Sequence, residues 1–266
     1  MKTSVAKMPT SKRGNAGMNV QATLEKLSSL RLSGMERSYR ALMETRHPQS
    51  LTADELIAHL VDAEWDDRQE RKTTRLMKTA AFRARATFTE VDFAAGRSLD
   101  KNEFLRLSDC SWVTKGRTII ISGPTGAGKS FLAQALGTQA CYLGHKTLYF
   151  NCGKLFPLLK VKRAEGGYPR QISRIARTAV LILDDFGLLA LDTESRLSLL
   201  EIIEDRYDRA ATIISTQIPV AKWFDVIGDP TLADAICDRI VPQAMRINLT
   251  GKSMRAIKKA FPASES

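Results

Sequence analysis

The sequence predicts an α/β protein: a parallel sheet with helices on both faces, preceded by a smaller all-α N-terminal domain. Three observations carry that expectation. Apolar residues recur at spacings of three and four from about Val20 to Arg85, the period of amphipathic helices. Further along, short continuous apolar runs alternate with helical stretches, as in sheets whose strands are buried on both faces. The first of these runs, Arg117-Thr-Ile-Ile-Ile-Ser122, feeds a glycine-rich turn and then a strong helix starter, Phe131-Leu-Ala-Gln-Ala-Leu136.

In chain order, residues 1–18 are basic and rich in Ser, Gly and Thr, with no apolar stretch, and read as a flexible basic tail rather than a signal peptide. Residues 19–90 read as the helical domain. Leu24, Leu27 and Leu30, then Met35, Tyr39 and Leu42, mark two helix faces, and Leu56, Ile57, Leu60, Val61 and Trp65 begin a third. Two starts are written as capping boxes, Ser33-Gly-Met-Glu36 and Thr52-Ala-Asp-Glu55. Residues 91–258 read as the α/β domain and 259–266 as a tail. Its strands are expected at Arg117–Ser122, Lys146–Asn151 (KTLYFN), Thr178–Gly187 (TAVLILDDFG) and Ala211–Gln217 (ATIISTQ). Ligands of such sheets sit at the carboxyl ends of the strands.

The third helix changes character along its length. Between Arg68 and Arg85 stand seven basic residues against one acidic, Glu70, and Arg68, Arg71, Arg75 and Lys78 share one helical face. The chain of 266 residues carries a net charge of +11, which suits a polyanionic partner. That face is therefore a candidate for the phosphate backbone of double-stranded DNA; a merely solvated helix face is the alternative. Four scattered cysteines without C-x-x-C spacing indicate reduced thiols in a cytosol. Histidines 47, 59 and 145 form no metal-ligand spacing. No window approaches ~18 consecutive apolar residues, so no membrane span is expected.

The chemistry is concentrated in GPTGAGKS. Gly123, Gly128, Lys129 and Ser130 fill G-x-x-x-x-G-K-[ST], with Pro124, Thr125, Gly126 and Ala127 between them. Such a loop turns successive N–H groups inward around a phosphate at the positive end of the following helix. Lys129 would meet the β/γ-phosphates of ATP, and the Ser130 hydroxyl would hold Mg²⁺. Asp184 and Asp185 end an apolar strand, where adjacent carboxylates are costly unless a cation meets them. Asp184 is expected in the Mg²⁺ shell beside Ser130, and Asp185 at the attacking water. The guanine-reading N-K-x-D pattern is absent, which argues against a GTPase.

Together GPTGAGKS, LILDDFG, IISTQIP, DPTLADAICDRI and GKSMR resemble the AAA+ ATPases, specifically their IstB-like and DnaC-like branch. The N-terminal stretches LEKLSSLRLSGM and LVDAEW resemble the helical domain of IstB-like proteins, ATPase helpers encoded beside the transposases of bacterial insertion sequences. The resemblance spans about Thr23 to Lys258. It implies that Thr216 is the first sensor of the γ-phosphate, with Gln217 as the alternative by one position. It implies that Arg239, in CDRI, is an arginine finger acting on a neighbouring subunit, so that ATP sites lie at the interfaces of a homo-oligomer. Arg255 is a weak candidate for a second sensor, because the chain ends soon after it and the family's C-terminal helical lid has no obvious counterpart. Many members carry Glu where Asp185 stands, and the shorter carboxylate implies slow hydrolysis. The helix after the second strand resembles the insertion of the DNA-initiator clade, making Lys160, Lys162 and Arg163 further DNA candidates beside the reading of solvated lysines.

The resemblance implies a cytoplasmic bacterial ATPase that grips target DNA and presents it to a cognate transposase. Two other functions are carried: a DnaC-like replicative helicase loader, and a nucleotide-gated binding protein whose hydrolysis is incidental. A loader would engage single strands, and the basic stretch between Arg68 and Arg85 offers only Phe82 for base stacking.

Overall fold

The computed structural model describes residues 16–45, 51–94, 96–251 and 253–254. The expectations for residues 1–15, His47, Arg255 and the tail 259–266 lie outside them. The chain divides into two compact units between Lys72 and Thr73.

The first unit holds α1 (Ala16–Ser29), α2 (Ser33–Glu44) and the first part of α3 (Ala53–Ala80). Helix α1 thus begins inside the segment read as a tail. The Thr52 capping box forms: Glu55 Oε2 accepts from the Thr52 amide at 2.7 Å, and the Glu55 amide donates to Thr52 Oγ1 at 3.3 Å. The Ser33 box does not form. Glu36 pairs with Arg40 at 2.9 Å, and the amides of Gly34 and Met35 donate instead to Glu64 of α3, at 2.8 and 3.3 Å. The cause is the approach of the two helices. A Cβ on Gly34 would lie 2.2 Å from the Ala63 carbonyl oxygen, so only glycine lets α2 come this close. A carboxylate at a helix N-terminus then satisfies two amides that lack an intrahelical acceptor.

Burial would raise the Glu64 carboxyl, but Arg68 and the two amides outweigh it and hold the group below its usual range. Its neighbour Asp67 takes Arg37 at 2.5 Å and Arg71 at 2.7 Å. The sequences LRLSGM and LVDAEW are therefore two halves of one helix crossing. Of the apolar residues read at the start of α3, Leu56 and Leu60 are half-buried, but Ile57, Val61 and Trp65 are 59, 48 and 64% exposed, while Glu64 and Asp67 are buried.

The second unit is a five-stranded parallel sheet. Its strands are β1 (Thr118–Ser122), β2 (Thr147–Asn151), β3 (Val180–Phe186), β4 (Ala211–Thr216) and β5 (Met245–Asn248), in the order β2-β3-β4-β1-β5. Four coincide with the apolar runs; β5, at the edge beside β1, was not anticipated. Alternation on β1 sends Ile119 and Ile121 to one face and Ile120 to the other. The first face packs on α4 (Lys101–Arg106), α5 (Ser111–Thr114) and α6 (Lys129–Tyr142) through Phe104, Trp112, Leu132 and Leu136. The second face packs on α7 (Cys152–Ala164), α8 (Tyr168–Ala176), α9 (Thr193–Arg206), α10 (Trp223–Ile227) and α11 (Pro230–Ile240) through residues such as Leu155, Ile172, Leu199, Trp223 and Ile236. No helix of the described chain is long and apolar enough to cross a membrane.

One buried cation stitches this second layer. Arg206, 2% exposed, donates to the carbonyls of Ile175 and Thr178 at 2.7 Å each, to Thr212 Oγ1 at 3.1 Å and to the Ala211 carbonyl. It thereby ties the end of α9 to the turns that begin β3 and β4.

Candidate nucleotide site

Parallel pairing brings the ends of β1, β3 and β4 level. Ser122 stands beside Thr216, and Leu183 beside Ile214. The chain leaves β1 into residues 123–128, where Gly123, Gly126 and Gly128 have φ of 149°, 82° and 94°, then enters α6 at Lys129. Lys129 is buried, and its Nζ donates to the Pro124 carbonyl at 2.9 Å, folding the side chain over the loop.

The register of β3 and β4 slips between Leu183 and Phe186, a bulge that falls on the aspartate pair. Asp185 adopts a left-handed φ of 56°, a conformation that costs a non-glycine residue about 1–2 kcal/mol. A bulge of this kind re-aims a side chain beside a site. Asp184 is fully buried and accepts from three hydroxyls: Ser130 at 2.8 Å, Tyr149 at 2.6 Å and Ser215. Asp185 instead lines the open cleft and accepts from Asn151 Nδ2 at 2.7 Å. Burial and the Asp184 carboxylate push the Tyr149 phenol far up, so it remains a donor. Burial and both aspartates do the same to the Cys152 thiol.

The cleft has a volume of about 260 Å³. It is lined by Thr125, Gly126, Gly128, Lys129, Ser130, Asp185 and Gln217, together with Glu90, Asp92, Arg97, Phe131 and Met254. Of the two sensor candidates, Gln217 lines the cleft and accepts from Thr125 Oγ1 at 2.5 Å. Thr216 is buried behind it, donating to the Phe186 carbonyl at 2.8 Å and accepting from the Ile218 amide at 3.1 Å.

Arg239 does not reach this cleft within its own chain. It lies on α11 beside Gly116, Arg117 and Thr118, at the amino ends of the strands, bonded to Glu204 at 3.0 Å and to the Ala235 carbonyl at 2.7 Å. The β1 strand separates the two ends by roughly 13 Å.

The basic candidates differ in how engaged they are. Arg68 and Arg71 pair with Glu64 at 2.7 and 3.5 Å, and Arg71 also with Asp67. Arg75 and Lys78 are exposed, with no ion pair among the described residues. On α7, Lys160 pairs with Asp192, and Lys162 with Glu165 at 2.7 Å. Arg163 lies 4.1 Å over the Tyr168 ring. The Lys160–Asp192 and Lys162–Glu165 pairs are exposed and cheap to exchange for another anion.

Sequence reasoning missed Tyr149, Ser215 and Asn151 as holders of the aspartates, and Arg97 altogether. Polar residues inside apolar strands were the available signal for the first three; Arg97 stands in a loop without periodicity.

Tested against solved structures, this architecture matches the replication initiator DnaA bound to AMPPCP and single-stranded DNA, with a TM-score of 0.55, 17% identity, and 70% of this chain and 58% of that one covered. It also matches DnaI, with a TM-score of 0.53, 20% identity, and 62 and 92% covered. At these identities the likeness establishes the fold alone. Sequence relatives cover nearly the full length. An insertion-sequence ATP-binding protein of Sinorhizobium fredii is 40% identical over 90% of this chain and 97% of its own. The IS21 insertion-sequence ATP-binding protein of Pseudomonas aeruginosa is 28% identical, with 88% of each covered. The IstB-like ATP binding protein family matches residues 25–261, which takes in the helix crossing, the glycine loop, the aspartate pair and Arg239 together. The chain therefore belongs to the IstB-like ATP-binding proteins of insertion sequences.

Proposed function

We propose that this protein is a Mg²⁺-dependent ATPase that assembles with copies of itself, grips duplex DNA and presents it to a transposase in the bacterial cytoplasm. The observation that carries the ATPase reading is the join between loop and strand. Ser130 of the glycine loop and Asp184 of β3 share a 2.8 Å hydrogen bond, with Asp185 beside them in the same cleft. A hydroxyl and a carboxylate that already share a proton are hard oxygen donors at bonding distance, the pair a magnesium ion accepts alongside phosphate oxygens. The residues present therefore fit the metal, which when bound supplies positive charge against the phosphates.

In this reading the loop amides and Lys129 hold the phosphates, Ser130 and Asp184 hold the ion, and Tyr149 and Ser215 fix the Asp184 carboxylate. Asp185, steadied by Asn151, orients or deprotonates the attacking water, and Gln217 or Thr216 senses the γ-phosphate. Arg239, remote from its own cleft, stabilises developing charge in a neighbour's. Aspartate reaches less far than glutamate, so turnover is slow. The DNA reading is supported by the exposed cations of α3, and the transposase reading by relatives that match over nearly their whole length and whose names place them in insertion sequences. The helicase-loader alternative has support only from fold-level likeness.

Labelled ATP tests the core of the proposal. Lys129→Ala should lose tight binding, whereas Asp185→Asn should bind ATP and stop turning it over. Parental ATP binding by the first variant would overturn the phosphate-loop assignment. Parental turnover by the second would move the base elsewhere.

A further inference from the structure

Arg97 belongs to none of the motifs above, yet it is 3% exposed and lines the cleft. Its Nη1 donates to the Ala127 carbonyl of the glycine loop at 3.2 Å, and its Nη2 to the Asp92 carbonyl at 2.8 Å. Nε is buried and unpartnered among the described residues. A guanidinium has five N–H donors, so this one keeps capacity unused, and no ion pair among the described residues compensates its charge. Burial pulls the group below its ordinary range, with Asp92 opposing. A buried, underpaired cation is costly unless something completes it.

The chain is built around this side chain. A Cβ on Gly128 would lie 2.4 Å from Arg97 Nη1, so the last glycine of the loop makes room for the guanidinium. The Thr250 amide donates to the Arg97 carbonyl at 3.0 Å, Ser98 and Thr250 hydroxyls meet at 2.6 Å, and the Met254 amide donates to the Gly126 carbonyl at 2.9 Å. Arg97 thus joins the segment before the sheet, the glycine loop and the segment after β5.

Its place in the cleft assigns its ligand. Lys129, Ser130, Asp185 and Gln217 are the lining groups suited to the β- and γ-phosphates. Arg97 stands against Ala127 and Gly128 of the loop, and the rest of the lining, Phe131, Met254, Glu90 and Asp92, offers a phosphate no cation and suits the nucleoside. We propose that Arg97 is a nucleotide-binding residue that donates its unused N–H groups to the nucleoside half of ATP. This rests on the ATP reading above and adds a recognition residue that the phosphate-loop motif does not contain.

The test compares ATP with inorganic tripolyphosphate, which has the phosphates and no nucleoside, on full-length parent, Arg97→Met and Arg97→Lys, by calorimetry with Mg²⁺. Losing a charge-assisted hydrogen bond corresponds to about tenfold or more in affinity. Both variants should lose about that much for ATP, and Arg97→Lys, which keeps the charge, should keep parental affinity for tripolyphosphate. Lysine retains the charge but not the fork of N–H donors, so Arg97→Lys separates hydrogen bonding to the ligand from the charge itself. Unchanged ATP affinity in Arg97→Lys would reduce Arg97 to a loop staple, and equal losses for both ligands would do the same. If the parent binds tripolyphosphate but gains nothing from the nucleoside, the proposal fails while the phosphate loop stands. If the parent binds neither, the ATP reading itself fails.

Discussion

Replacing Arg75 and Lys78 with glutamine removes two exposed cations of α3 that have no ion pair among the described residues. Each phosphate neutralised by such a cation contributes about −0.9 to the slope of log affinity against log salt, so the double variant should flatten that slope by about 1.8 per bound protomer. Between 50 and 200 mM salt, that slope change alters the affinity ratio by about tenfold. Arg68 and Arg71 give a contrasting double variant. Their guanidiniums are already matched by Glu64 and Asp67, so replacing them should change the slope by less. It should instead destabilise the helix crossing by about 1–2 kcal/mol, a value discounted because both guanidiniums are half exposed. The assay is duplex affinity by fluorescence anisotropy across a salt series, with thermal melts of each variant. A slope unchanged in Arg75→Gln/Lys78→Gln would refute the reasoning and send the DNA path over Lys160, Lys162 and Arg163 or elsewhere.

ATPase rate should rise faster than linearly with protein concentration, and mixing Arg239→Ala with Lys129→Ala subunits should restore part of it; strict proportionality or no rescue would count against a shared site. Gly34→Ala should destabilise the first unit by about 2 kcal/mol, the overpacking of α2 on α3 exceeding the gain in helix propensity, as read by hydrogen exchange of the α2 amides in urea. Arg206→Met should cost about 3–5 kcal/mol, because three carbonyls and the Thr212 hydroxyl lose a buried cationic partner; a parental melting curve would contradict that role. All four cysteines are buried, and desolvation with Asp109 pushes the Cys110 thiol up to about 11. A thiol reagent at pH 8 should therefore label the native protein slowly and all four positions once urea unfolds it; rapid labelling of Cys110 in the fold would contradict its burial.

The sheet was legible where each strand is a run of apolar residues, because such runs record burial on both faces. Strand β5 was not legible: of Met245, Arg246, Ile247 and Asn248 only Ile247 is buried, so an edge strand leaves almost no pattern. The glycine loop was legible because its function needs a backbone conformation set by adjacent residues. Arg97 was not, because its partner in the loop, Ala127, stands thirty residues away and meets it only through the fold. On α3 the periodicity held for Leu56 and Leu60, which are half-buried, and misled for the rest. Ile57, Val61 and Trp65 have helical spacing but face outward, while Glu64 and Asp67 are buried because α2 presents amide and guanidinium donors to them. Charge pairing there overrode hydropathy as the rule for which side faces in.

The separation of Arg239 from the glycine loop along β1 also gives the molecule a head and a tail. If each arginine serves the next subunit's nucleotide, the contact joins unlike surfaces, and a row of subunits has a direction. Such a row either closes into a ring or continues as a helix, and in the open form one terminal subunit always holds a nucleotide with no arginine opposite it. That end would turn over last, so a row laid along DNA would dismantle with a polarity fixed by the order of strands in a single sheet.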